Sequence, residues 1–191
     1  MTAAGSSGDA RSRIIASARR GILEYGERGA NSAQVGAEAG VSKALVHYHF
    51  ADKQALLLAV VDDCGQRIER RLRLVPDALG GTNAFERCRK WLAEELEAVD
   101  IHLLLRLAGS GDEAVRNRAR SGIQVFRSAV EAQLETALES LAVAPTIRMD
   151  LIASLASATA LGLAGSDVRG ASGDREATLD TLWLAILGLS R

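Results

Sequence analysis

Along most of the chain, apolar side chains recur three or four positions apart, the repeat that gives an α-helix one buried face. Ile14, Ile15, Ala18, Ile22 and Leu23 predict a first helix from Asp9, stopping near Gly26 and Gly29. Asn31 or Ser32 is placed to cap a short second helix through Ala39, with Gly40 as the left-handed residue that closes it. A third short helix is predicted from Ser42 to His49. Asp52 then caps a long fourth carrying Leu56, Val60, Cys64, Ile68 and Leu72 at steps of four, until VPDALGGTN breaks it.

The repeat restarts at Phe85, Cys88, Leu92, Leu96 and Val99 and is interrupted at Gly109 and Gly111. A long helix is predicted from Asp112 to Leu141, and Pro145 separates it from TIRMDLIASLASATALGLAG. That segment is nearly apolar on every side, which predicts a helix from Thr146 to Gly165 buried all round. A last helix from Asp174 to Leu189 places Leu179, Leu182, Trp183, Ile186 and Leu187 on one face.

Composition sharpens this into an all-α fold. Two prolines among 191 residues leave few breakers of long helices, and no stretch alternates apolar and polar residues with period two. The length suits one core with a small appended subdomain. Residues 1–9 are small, polar and Gly-rich and are expected to form a disordered tail. MTAAGSSGDARSR has no apolar core of the signal-peptide kind, and no apolar run is long enough to cross a bilayer. The expectation is a cytoplasmic protein without a membrane partner, in which Cys64 and Cys88 are free buried thiols.

Catalytic and metal chemistry find no foothold. Glu94, Glu95 and Glu97 cluster on a helix surface with no histidine at ligand spacing, and no Glu-x-x-His motif is present. His47 and His49, two apart, splay across a helix with no nearby Cys, Asp or Glu to complete a metal set. Neither an enzyme nor a bound cofactor or metal is expected.

The charge distribution points elsewhere. The formal net charge is −1, yet Asp9 to Lys53 holds seven basic residues against five acidic ones. A local excess of this size matters only where a motif uses it. Residues 31–53 supply one: a short helix, a Gly-containing turn and a second short helix form the helix-turn-helix, whose second helix enters the DNA major groove. Val35, Ala39, Val41, Val46 and Phe50 anchor the pair, so Ser42, Lys43, Ala44, His47, Tyr48 and His49 are expected to face outward. Ser42 can cap the helix and donate to a phosphate, Lys43 can reach a guanine edge, and Ala44 can meet a thymine methyl. His47, Tyr48, His49 and Lys53 suit phosphate contacts.

NSAQVGAEAGVSKALVHYHFADKQALL, within residues 11–60, resembles the DNA-binding domain of the TetR family of transcriptional regulators. The resemblance implies DNA contacts from Asn31, Ser32, Lys43, Ala44, His47, Tyr48, His49 and Lys53. It departs from the family pattern at His47, where tyrosine is usual, and at Ala33, where relatives can carry a long base-reading side chain. It also implies a three-helix DNA-binding domain at residues 10–52, followed at 53–191 by a helical bundle for effector binding and dimerisation.

The expected partners are then a double-stranded DNA operator, a second copy of the chain and a small apolar effector. Val61, Cys64, Trp91, Leu92, His102, Arg106, Phe126 and Val130 are candidates for the effector pocket. Leu151, Leu155, Ala158, Gly162, Leu179, Leu182, Trp183 and Ile186 are candidates for the dimer interface, because two successive helices are too apolar for a monomer surface. The function expected is that of a homodimeric repressor released from a palindromic site by its effector. A transcriptional activator, or a helical-bundle ligand-binding protein with an incidental helix-turn-helix, is the alternative.

Overall fold

The computed structural model describes residues 3–73, 84–142, 144–166 and 175–188, and among these the regular structure is helical, without strands. Helix α1 spans Ala3–Tyr25 and runs into a 3-10 helix, Gly26–Ala30. Helices α2 (Ser32–Ala39), α3 (Lys43–His49) and α4 (Lys53–Arg73) follow. After these come α5 (Ala84–Glu97), α6 (Asp100–Leu107), α7 (Glu113–Ser140), α8 (Met149–Ser166) and α9 (Arg175–Gly188). The expected break at VPDALGGTN lies outside the described residues.

Two boundaries differ from the sequence expectation. Helix α1 starts at Ala3 rather than Asp9, because a helix nucleated by the buried Ala10 and Ile14 propagates outward at one hydrogen bond per residue. The segment beginning at Phe85 is two helices, with the chain turning at Ala98 and Val99. Positions 95 and 100 would lie about 140° apart around a continuous helix. The turn instead brings Glu95 and Asp100 onto a single guanidinium, that of Arg71.

The chain forms two compact units, Met1–Gln66 with His102–Gly122, and Arg67–Ile101 with Ile123–Arg191. In the first, Ile14, Ala18 and Ile22 line the buried face of α1, alongside a core that includes Val35, Val46, Leu56, Val60, Leu104 and Leu107. Polar contacts join its α4 segment to other parts of the unit. Arg19 pairs with Asp63 at 3.0 Å, Arg118 with Asp62 at 2.6 Å, and the Gln54 amide donates to Asp112 at 2.6 Å. The end of α1 meets the 3-10 helix backbone to backbone: a Cβ on Gly29 would fall on the Gly21 carbonyl.

In the second unit, Leu92, Leu96, Phe126, Leu134, Ile152, Ala156 and Ile186 are fully enclosed. Trp183 meets Phe85 edge to face at 5.2 Å, and the Trp91 and Phe126 rings lie 6.1 Å apart. The expected burial of α8 on every side does not hold within the chain. Ile152, Ala153, Ala156, Ala160 and Ala164 are inside, while Leu151 and Leu155 are 54% and 45% exposed. Its small residues allow close packing on one face, and among the described residues the other face, with Leu151 and Leu155, is left exposed.

A charged group is also buried here. Arg71 grips Glu95 with two hydrogen bonds, 2.7 and 2.8 Å, and reaches Asp100 at 2.8 Å. Burial pushes the Glu95 carboxyl above its usual range, against the opposing pull of Arg71. Burial likewise pushes the Cys88 thiol up to about 12.

Two outcomes follow from this packing. Gly29→Ala should lower unfolding stability by about 1–3 kcal/mol, because two backbones must separate to admit a methyl group; a urea midpoint equal to that of the parent would mean that the crossing is not tight. Cys88, protonated and enclosed, should resist a disulfide-exchange reagent at pH 8 and react only as the protein unfolds. A fast thiol signal from the native Cys64→Ser variant would place Cys88 near the surface.

Candidate nucleic-acid interface

Residues 31–53 fold into a helix-turn-helix whose ends are fixed by their own side chains. The Asn31 carboxamide oxygen accepts from the backbone N–H groups of Ala33 (2.9 Å) and Gln34 (3.3 Å), starting α2. Gly40 ends it with φ 65° and ψ 38°, a left-handed conformation that favours glycine, and Val41 N–H returns to the Gly36 carbonyl at 2.9 Å. The Ser42 hydroxyl accepts from Leu45 N–H at 3.1 Å and starts α3, and Asp52 does the same for Ala55 at 2.7 Å ahead of α4. Caps of this kind each stabilise a helix by about 1 kcal/mol, which is large for helices of two turns.

Close packing sets the angle between α2 and α3. Gly36 leaves room for the turn, since a Cβ there would stand 3.0 Å from the Val41 carbonyl oxygen and 3.3 Å from Val46 Cγ2. Val35, Val46 and Phe50 are buried. The outer surface is what they leave over: Asn31, Ser42, Lys43, Ala44, His47, Tyr48 and Lys53 are exposed, Tyr48 at 79%. Ser32 and His49 are half-buried. The His49 ring meets Tyr48 edge-on at 5.3 Å, and its Nε2 is enclosed without a protein partner. Among the described residues neither Lys43 nor Lys53 has an ion-pair partner, so both charges remain available to an external anion.

The residues that position this surface lie on α1, and sequence periodicity missed them. Arg13 donates to the Ala39 carbonyl at 3.0 Å, satisfying the end of α2. The buried Ser17 hydroxyl lies 3.1 Å from both the Val35 carbonyl oxygen and the Glu38 carboxylate, which also pairs with Arg20. The Arg11 guanidinium sits 5.3 Å over the Phe50 ring, at the end of α3. Arg13, Ser17 and Arg20 are four and three residues apart, a polar stripe beside the apolar one. That spacing was the available signal.

The other expected site residues distribute as follows. Val61, Cys64, His102 and Arg106 belong to the first unit, with Val61 and Cys64 buried and the other two half-buried. Trp91, Leu92, Phe126 and Val130 are core residues of the second unit. Of the expected interface set, Leu151, Leu155, Ala158 and Gly162 are exposed on α8. On α9 the expectation is corrected: Leu179, Leu182, Trp183 and Ile186 are buried in the chain's own core, and the outward positions are Ala177, Thr181, Leu184 and Ala185. A helix has one face for its own core, and the more regular apolar stripe was used there.

Fold and surface define a helix-turn-helix domain of the DNA-binding class. Residues 14–60 match the family described as bacterial regulatory proteins, tetR family. The match covers the helix-turn-helix and its flanking helices, so it is this N-terminal segment that is of the tetR type. No curated protein matches the sequence. Among solved structures, a TetR-family transcriptional regulator from Agrobacterium tumefaciens has a TM-score of 0.79 at 18% identity, covering 94% of this chain and 98% of its own. A TetR transcription regulator from Haloarcula marismortui has a TM-score of 0.77 at 19% identity, covering 96% and 100%. The regulator FadR from Bacillus subtilis, solved with stearoyl-CoA, has a TM-score of 0.67 at 17% identity, covering 90% and 96%. At these identities the likeness is one of fold.

The Arg20 hydrogen bond, with a further one from Ser17, holds the Glu38 carboxyl below the usual carboxylate range. A depressed folded-state pKa contributes stability above the unfolded value and loses it as pH falls through the folded one. Glu38→Gln should therefore be less stable at neutral pH, with the deficit shrinking in acid. Parallel stability curves for parent and variant between pH 7 and pH 3 would remove Glu38 from the α1–α2 anchor.

Proposed function

We propose that the protein is a homodimeric transcriptional repressor, acting in the cytoplasm, that binds a palindromic operator and leaves it when a small apolar effector binds. The observation that carries this reading is the outward face of α3, where Lys43, Ala44, His47 and Tyr48 are exposed and the lysine has no ion-pair partner among the described residues. Lys43 suits a guanine edge, Ala44 a thymine methyl, and His47, Tyr48 and Lys53 the flanking phosphates.

Dimerisation is supported by the uncovered apolar side of α8 and α9. Leu151, Leu155 and Leu184 are 54%, 45% and 71% exposed, and Ala158, Gly162 and Ala185 beside them let a second helix approach closely. A two-fold pair reads half-sites about 34 Å apart, one turn of the duplex. For the effector, the aromatic-poor, leucine- and alanine-rich interior favours an apolar molecule, and the stearoyl-CoA complex of FadR indicates that the fold accommodates a large acyl ligand.

Selection from a randomised duplex library should enrich a palindrome. Binding to that site, followed by fluorescence anisotropy, should weaken with salt, and Lys43→Ala should flatten the log–log salt dependence by about one. Tyr48→Ala should weaken binding further, and Leu155→Glu should yield a monomer in sedimentation with reduced operator affinity. Enrichment of no sequence, with the Lys43 and Tyr48 variants matching the parent, would leave the helix-turn-helix as scaffold alone. Transcription from a promoter overlapping the selected site separates repression from activation.

A further inference from the structure

Four of the nine arginines of the first unit pair with carboxylates of the chain: Arg13 with Asp9, Arg19 with Asp63, Arg20 with Glu38 and Arg118 with Asp62. Arg28 and Arg106 are different. Neither guanidinium has an ion-pair or hydrogen-bond partner among the described residues, and both residues line the same open cleft of about 500 Å³ at the end of α1. Ile22 and Leu107 lie beneath it without exposed surface, and the exposed Tyr25 ring, with Glu27, supplies the accessible lining. Gly26, at φ 63°, turns the chain there so that the 3-10 helix forms one wall. All of these residues belong to the first unit.

We propose that this cleft is a binding site for a small organic monoanion, whose carboxylate is held by Arg28 and Arg106 while its apolar body lies against the exposed Tyr25 ring. The volume falls in the range of small-molecule sites, roughly 300–1,000 Å³, and an apolar wall, here the Tyr25 ring, with a few convergent polar groups is their usual composition. Two guanidiniums against the single carboxylate of Glu27 leave a net charge of +1, which selects one negative charge rather than two or none. A guanidinium offers a planar fork of donors that matches a carboxylate, so the pairing is directional as well as electrostatic. The site lies apart from the α3 surface, and the inference does not depend on operator binding. A ligand here would tie α6 to the 3-10 helix, whose next residue is Asn31, the cap of α2.

Sodium octanoate is a suitable probe, titrated into the full-length isotope-labelled chain and followed by amide shifts, with octanol and acetate as probes of each half alone. Octanoate should shift the amides of Gly26, Arg28 and Leu107 saturably, and both controls should bind more weakly. Arg28→Gln and Arg106→Gln should each weaken octanoate binding about tenfold. Glu27→Gln should tighten it, an opposite sign that a loss of folding cannot produce. The proposal is overturned if the shifts map elsewhere, if the arginine variants bind as the parent does, or if octanol or acetate binds as tightly as octanoate.

Discussion

The reading surface depends on how α1 holds α2. Two adjacent stripes of α1 act together: Ile14, Ala18 and Ile22 enter the core, and Arg13, Ser17 and Arg20 bind the carbonyls and the carboxylate of α2. The apolar stripe alone would permit α2 to slide or rotate, because burial has no direction. Hydrogen bonds to the Val35 and Ala39 carbonyls fix both height and rotation, since they are made to single atoms. With α2 fixed, Gly36 and Gly40 determine where α3 can go, and the outward set from Lys43 to Tyr48 follows.

The second unit applies the same logic with charge. Arg71 between Glu95 and Asp100 is a costly arrangement to bury, since each ion must leave water and the triad carries one excess negative charge. It is compatible with the fold because the chain turns at Ala98 and Val99 to place both carboxylates on one fork. An apolar contact at this place would hold the α5–α6 turn in several registers. The bidentate grip on Glu95 holds it in one.

Much of this was legible in the sequence, and the reasons for success and failure are physical. Caps are local: Asn31, Ser42 and Asp52 bond to N–H groups two or three residues on, so their position in the chain determines their role. The buried faces of α1 and α4 were legible because the apolar repeat is long. The α5–α6 turn was not, because it depends on Arg71, more than twenty residues away in sequence. The orientation of α9 was misread because a single apolar stripe serves equally well against the chain's own core or a partner. The long contacts from Arg19, Arg118 and Gln54 that join α4 to the first unit have no local signature either.

Charge pairing gives a final ordering of the surface. With 23 lysines and arginines against 24 aspartates and glutamates, the chain can neutralise nearly every cation internally, and many of its arginines are so placed. Net charge is therefore a poor guide to what such a protein binds, whereas the location of unmatched cations is a good one. Lys43 and Lys53 border a polar, aromatic-bearing surface with no floor, which suits a polyanion that lies across it. Arg28 and Arg106 border a cleft walled by the Tyr25 ring, which suits an anion small enough to enter. The same residual charge thus selects different partners according to the surface beneath it.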